Sequence, residues 1–133
     1  MSIRVKMKKM YLLVGFFIIG CSSYSKNVPN QSISLPPQVV INNPQLQREI
    51  TIGVGSDRTN DNDIMEAFVN VTNNTEKEAT LYYRFRWFDV EDFEVGENMS
   101  MWKPLFLGAK DFKKVVGVAP TSKADNFKFY IKK

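Results

Sequence analysis

"ATLYYRFRWFD", residues 79–89, alternates along its length. Leu81, Tyr83, Phe85 and Trp87 share one parity; Tyr82, Arg84, Arg86 and Phe88 share the other. Successive side chains of a strand point to opposite faces, so the stretch reads as a strand with one buried face and one outward face. Burying each large apolar side chain of the first set contributes roughly 1.5–3 kcal/mol, and somewhat more for the largest rings. Asp89 ends the strand, and its carboxylate is placed to cap turn amides.

The same period of two recurs on either side, with turn residues between the segments. The expected strands are Gln38–Ile41, Leu46–Val54, Ile64–Thr72, Ala79–Asp89, Phe93–Val95, Trp102–Leu107, Phe112–Val118 and Asn126–Ile131. Ile50, Ile52 and Val54 share a face, as do Met65, Ala67, Val69 and Val71, and again Phe127, Phe129 and Ile131. Pro104 lacks the amide a central strand needs, so its strand belongs at a sheet edge. No helix is expected. Seven or eight short strands, each with one apolar face, predict an all-β fold, an immunoglobulin-like β-sandwich. A small barrel is the alternative.

"NNTEKE", residues 73–78, reads as a hairpin turn. On that reading strands 64–72 and 79–89 are antiparallel neighbours, with Glu66 opposite Arg84 or Arg86 on the outer face. Phe68, Tyr82, Arg84, Arg86 and Phe88 would then form one outward patch of arginine and aromatics. Those residue types favour interfaces. Trp102 is read first as core, closing one end of the sandwich, and also as a candidate for this interaction surface.

Several chemistries are excluded by what is missing. The chain contains no histidine and one cysteine, Cys21. That removes histidine bases, histidine metal sites and Ser-His-Asp triads. "GVGS", residues 53–56, has neither the spacing nor the lysine of a phosphate loop. Asp89, Glu91, Asp92, Glu94 and Glu97 are the one cluster that offers an acid–base pair, and a solvated turn explains them better. "SDRTNDND", residues 56–63, alternates oxygen ligands but lacks the central glycine and distal glutamate of an EF-hand. It reads as a polar turn. No cofactor, no metal and no catalytic residue is expected, so the chain is expected not to be an enzyme.

The amino terminus reads as an address. Arg4, Lys6, Lys8 and Lys9 precede an apolar run, Tyr11–Gly20. Ten residues of helix span ~15 Å, about half of a ~30 Å hydrocarbon core, so the run suits a signal peptide better than a membrane span. Met7 is an alternative start of the same kind. Ile18-Ile19-Gly20-Cys21 resembles a bacterial lipobox, with the thiol as lipid acceptor and a small residue before the scissile bond. The expected organisation is a lipoprotein signal peptide at 1–20, a lipidated flexible tether at 21–37 and a sandwich domain at 38–133. A flexible tether of this length reaches about 22 Å. All four basic residues of the signal precede residue 10, and the remaining Lys and Arg equal the fourteen Asp and Glu in number. With the signal removed the chain is formally neutral, which argues against a nucleic-acid partner.

The order of five blocks carries a family resemblance. They are "VVINNPQLQREI", "EAFVNVTNNT", "LYYRFRWFDVEDFEV", "WKPLFLGAKD" and "GVAPTSKADNFKFYI", within residues 39–131. The chain resembles the YcfL family of small Gram-negative envelope lipoproteins, whose function is unknown. The resemblance implies an immunoglobulin-like sandwich and a lipid-anchored, periplasm-facing protein. The family's gene lies, in some bacteria, beside that of a lipoprotein activator of peptidoglycan synthesis, which implies a link to cell-wall assembly. It supplies no catalytic residues. The expected function is a non-enzymatic interaction module at the outer membrane, anchored through lipid on Cys21 and meeting an envelope protein. The alternative is a periplasmic binder of a small ligand or glycan.

Overall fold

The structure, a computed structural model, describes residues 35–133. The signal peptide reading, Cys21 and most of the tether lie outside the described residues. Eight strands run in the order β1 Val39–Val40, β2 Ile50–Thr59, β3 Met65–Asn73, β4 Ala79–Phe88, β5 Glu94–Val95, β6 Lys103–Leu107, β7 Phe112–Val118 and β8 Asn126–Lys132. They form the expected immunoglobulin-like β-sandwich. One sheet has the order β1-β8-β4, with β5 and β6 both on the far side of β4; the other has the order β2-β3-β7. β1 runs parallel to β8, and the other pairings within the two sheets are antiparallel. β6 pairs with β4 alone, so Pro104 sits on an edge strand as its missing amide requires.

The inner faces are the ones the alternation assigned. Met65, Ala67, Val69 and Val71 of β3 are buried, as are Leu81, Phe85 and Trp87 of β4 and Phe127, Phe129 and Ile131 of β8. The two sheets contribute different shapes. The β4–β8 face is aromatic: the Phe85 ring lies 5.8 Å from Trp87 and from Phe127, and 5.1 Å from Phe129. The facing β3–β7 layer is small, with Ala67 directly beside Gly117. A Cβ on Gly117 would lie 2.6 Å from the Phe85 ring. The missing side chain is the space the ring occupies.

Two expectations are corrected. The stretch read as a strand from Leu46 begins as a short helix, α1, Pro44–Glu49. Asn43 Oδ1 accepts hydrogen bonds from the amides of Gln45 (2.9 Å) and Leu46 (3.3 Å), and Pro44 opens the helix. The helix buries Leu46 and lets Arg48 point to water. A continued strand would have turned Arg48 inward with Leu46 and Ile50.

The second correction concerns the strand pairing. β3 and β4 lie in different sheets, so residues 73–78 form an arch over the end of the core. Glu66 pairs with Arg58 on β2 at 2.8 Å, and Arg86 pairs with Glu94 on β5. The physical reason is Asn73, which is 1% exposed. Its Nδ2 donates to the carbonyls of Lys77 (2.7 Å) and Gly108 (2.8 Å), and its Oδ1 accepts from the amide and hydroxyl of Thr75. The amide of Lys110 donates to Thr75 O at 3.0 Å. The arch is therefore tied to the β6–β7 connection rather than folded back on β3.

Candidate binding site

With β3 in the other sheet, the predicted outward patch divides. Phe68 stands on the outer face of β3, beneath Lys114, whose Nζ is 4.1 Å from the ring centre. Tyr82, Arg84 and Arg86 stand on the outer face of β4. Phe88 is not a surface residue: it is 8% exposed. The Arg86 guanidinium carbon and the Lys128 Nζ lie over its ring at 5.8 and 5.0 Å. Trp102 is corrected the other way. It is half-buried on the outer face, in phase with Pro104 and Phe106, and not in the core.

The register brings together residues from three strands and the approach to a fourth. Arg84 lies opposite Tyr130 of β8, and Tyr130 opposite Val40 of β1. Trp102, just before β6, flanks Arg84 on the other side. The Arg84 guanidinium carbon is 4.6 Å from the Trp102 ring centre and 5.2 Å from that of Tyr130. Lys132 reaches the same Trp102 ring at 4.4 Å. These residues line a cleft of about 350 Å³ together with Asn42, Asn43, Ile131 and Lys133. Tyr130 and the lysines of β8 were not singled out from the sequence. Their signal was present, since Lys128, Tyr130 and Lys132 occupy the parity opposite Phe127, Phe129 and Ile131.

The charges on this face are unequally compensated. Arg86 Nε donates to Glu94 Oε1 at 2.8 Å, and Arg86 Nη1 donates to the Tyr130 hydroxyl at 3.4 Å. Lys133 pairs with Glu49. Arg84 and Lys132 have no carboxylate partner among the described residues, and Arg84 Nε is buried without an acceptor. Stacking alone holds that guanidinium in place. Two cations beside one ring repel each other; the ring faces attract both, and Glu94, already paired with Arg86, is a carboxylate that feels the Arg84 charge.

Several acidic and amide groups elsewhere serve turns and pairs. Asp89 Oδ1 accepts from the amides of Glu91 (3.0 Å) and Phe93 (2.9 Å), capping the turn as expected. The turn expected at residues 56–63 is corrected to its second half: Asp57, Arg58 and Thr59 pair with β3 as part of β2, and Asn60 Oδ1 accepts from the amides of Asn62 and Ile64, which makes residues 60–64 the polar turn. The Arg86 hydrogen bonds, first among the causes, hold the Glu94 carboxyl below the usual carboxylate range against the opposing effect of burial. Folded Glu94 thus binds protons less readily than unfolded Glu94. Its contribution is present above the unfolded value of about 4.3 and is lost as pH falls through the lower folded value. Glu94→Gln should cost about 1–3 kcal/mol at neutral pH and should flatten the fall of Tm with acid. Parallel Tm-against-pH curves for E94Q and wild type would show that this carboxylate is not linked to folding.

Comparison with known proteins supports the fold and adds a family. Among solved structures, a DUF1425 family member from Shewanella has a TM-score of 0.59 and 20% identity, over 63% of this chain and 77% of that one. The Campylobacter jejuni protein cj0090 has a TM-score of 0.51 and 18% identity, over 70% of this chain and 92% of that one. At these identities the likeness concerns the fold alone. No curated protein matches the chain. The family model of DUF1425, proteins of unknown function, matches residues 37–133, which include every strand described above. The chain therefore belongs to the DUF1425 family.

Proposed function

We propose that the chain is a non-enzymatic interaction module of the bacterial envelope, of the YcfL type, that meets its partner through the outer face of the β1-β8-β4-β6 sheet. The observation that carries this reading is the row Trp102–Arg84–Tyr130. There an arginine without an acidic partner is held between two aromatic rings at the surface. Arg, Trp and Tyr are the residues that carry most binding energy at interfaces. Tyr82 and Phe106 extend the face, at 40% and 61% exposure. Arg84 and Tyr130 lie on strands, with Trp102 just before one, and strands position side chains more rigidly than loops do. The cleft itself favours a second reading, a small-ligand or glycan binder, because its volume falls in the range of ligand pockets.

The envelope location rests on the basic and apolar leader and on the lipobox at Cys21. Ser22 after the cysteine argues for the outer membrane, where the module would face the periplasm. The YcfL resemblance adds the link to cell-wall assembly. One acyl chain binds membranes only marginally, so stable anchoring needs the additional chains of a lipoprotein. Cys21→Ser should abolish lipid labelling and move the protein out of the membrane fraction. Retention of C21S after a salt wash would refute the anchor.

In-cell photocrosslinking tests the docking face. A crosslinker at position 82 or 106 should capture one discrete envelope partner, and capture should be lost when Arg84→Glu is added. A crosslinker at position 116, on the other sheet, should not capture it. Equal capture from both sheets, or none from 82 and 106, would overturn the assignment.

A further inference from the structure

The geometry points to a carboxylate-binding subsite in the cleft at Arg84, suited to a small acid with a ring-shaped body. This rests on the reading of the β4–β8 face as a recognition surface and names the chemistry recognised there. Three observations converge.

The first is charge. Arg84 and Lys132 sit within 4.6 and 4.4 Å of one ring centre, and neither has a carboxylate partner among the described residues. Other cations of the described residues, Arg48 and Lys103 among them, also lack one; what sets Arg84 and Lys132 apart is that they share one ring. Two like charges held together are a local conflict of the kind found at functional sites, and an anion between them relieves it.

The second is shape. The guanidinium is oriented by Trp102 and Tyr130 before any ligand arrives, with its Nε shielded, so its terminal nitrogens are the donors on offer. A planar fork of donors matches a carboxylate, which it can hold with two parallel hydrogen bonds. The same fork also fits a phosphate, but phosphate sites commonly add backbone amides, and the amides of Gln45 and Leu46 beside the lining residue Asn43 are already used by its side chain.

The third is size. A volume of about 350 Å³ lies at the small end of the ~300–1,000 Å³ range of ligand pockets. That is room for a carboxylate and one ring, with Trp102, Tyr130 and Val40 as apolar walls. It is too small for an added strand or helix. The occupant is a small molecule or the end of a longer chain.

The test uses the full chain and five probes, read by chemical shifts at the Trp102 indole and the Arg84 side chain. Benzoate supplies an acid on a ring, benzamide is its neutral counterpart, and inorganic phosphate is the competing anion. N-acetylphenylalanine and glucuronate represent the two sources of such an acid, a peptide terminus and a sugar acid. Benzoate should give saturable shifts that move Trp102 and spare the buried Trp87. Benzamide should bind at least tenfold more weakly, the loss expected when a charge-assisted pair becomes neutral. Arg84→Gln should weaken benzoate at least tenfold, and Arg84→Lys should recover part of that loss. Lys132 is exposed, so Lys132→Gln keeps the test available should R84Q fold poorly; it should weaken benzoate severalfold. Arg58→Gln, on the other sheet, should have no effect. The tighter binder of N-acetylphenylalanine and glucuronate identifies the source.

No saturation by about 10 mM benzoate, equal binding of benzamide or phosphate, or equal loss in R58Q would each overturn the subsite. Crosslinking from positions 82 and 106 without carboxylate binding would remove the subsite and leave the docking face. Carboxylate binding without crosslinking would leave the subsite and remove the docking face.

Discussion

Phe85→Ala should lower the free energy of unfolding by about 3–5 kcal/mol, the usual cost of deleting a buried aromatic ring. A domain of this size has about 5–15 kcal/mol in all, so the variant should lie near the edge of folding. Phe85 touches Trp87, Phe127 and Phe129 within its own sheet and Gly117 across the core. The last contact allows a sharper test. Gly117→Ala places a methyl group 2.6 Å from the ring, and the overpacking should cost about 1–3 kcal/mol or more. Shortening the ring in the double variant Phe85→Leu, Gly117→Ala should recover part of that cost. A coupling of at least ~1 kcal/mol is expected for residues in direct contact. Additive effects in a denaturant titration would mean that the two residues do not meet. Thr80→Ala, on the outer face of the same strand, should cost well under ~1 kcal/mol.

Asn73→Ala should cost about 3–5 kcal/mol, although the residue is polar and ends a strand. It removes the bonds that Nδ2 donates and the Thr75 amide bond that Oδ1 accepts, and leaves the Gly108 carbonyl without this donor, while the Thr75 hydroxyl can still donate to Lys77 O. Each buried group left unpaired costs about 1–3 kcal/mol. Asn73→Asp is nearly isosteric but should be at least as harmful at neutral pH, because it sets a carboxylate against those two carbonyls. Protonation restores one donor, so the deficit of N73D relative to wild type should shrink as pH falls. Asn74→Ala, which loses one exposed hydrogen bond to Thr51, should cost under ~1 kcal/mol. The check is the denaturant midpoint at unchanged slope. If N73A matched N74A, the arch would not depend on this side chain.

Much of the fold could be read from alternation. Seven of the eight strands lie close to their expected places, β2 begins and ends four to five residues later than expected, and every set of inward residues assigned from parity faces the core. The exceptions have identifiable causes. Asn43-Pro44 is a helix start, a cap followed by a ring that fits the first helical position, and it outweighed the apolar positions that followed. Asn73 falls in the same parity as Met65, Ala67, Val69 and Val71. A polar residue in a core phase is a sign that its hydrogen bonds do structural work, and that sign was in the sequence.

The site was half legible. Tyr82, Arg84, Arg86 and Trp102 lie on one face, and parity alone placed the first three there. Phe68 has the right parity but belongs to the other sheet. Phe88 also has the right parity, yet it is buried, with the charged heads of Arg86 and Lys128 over its ring. Parity tells which way a side chain leaves the backbone, and burial depends also on what the neighbouring strand lays over it.

The amino-acid sequence by itself determined which face of each strand is wet and which is dry, because the strand period of two is written directly in the side chains. Only the tertiary structure decided which strands are neighbours. The backbone donors and acceptors that join strands are the same in every residue but proline, so pairing carries little local signature. The apolar face of β3 meets that of β4 equally well as a neighbour in one sheet or across the core. What separates the two arrangements is a set of contacts distant in the chain: Asn73 with Gly108, Gly117 with Phe85, Arg86 with Glu94. The same distant pairings bring Trp102, Arg84, Tyr130 and Lys132 together around one cleft.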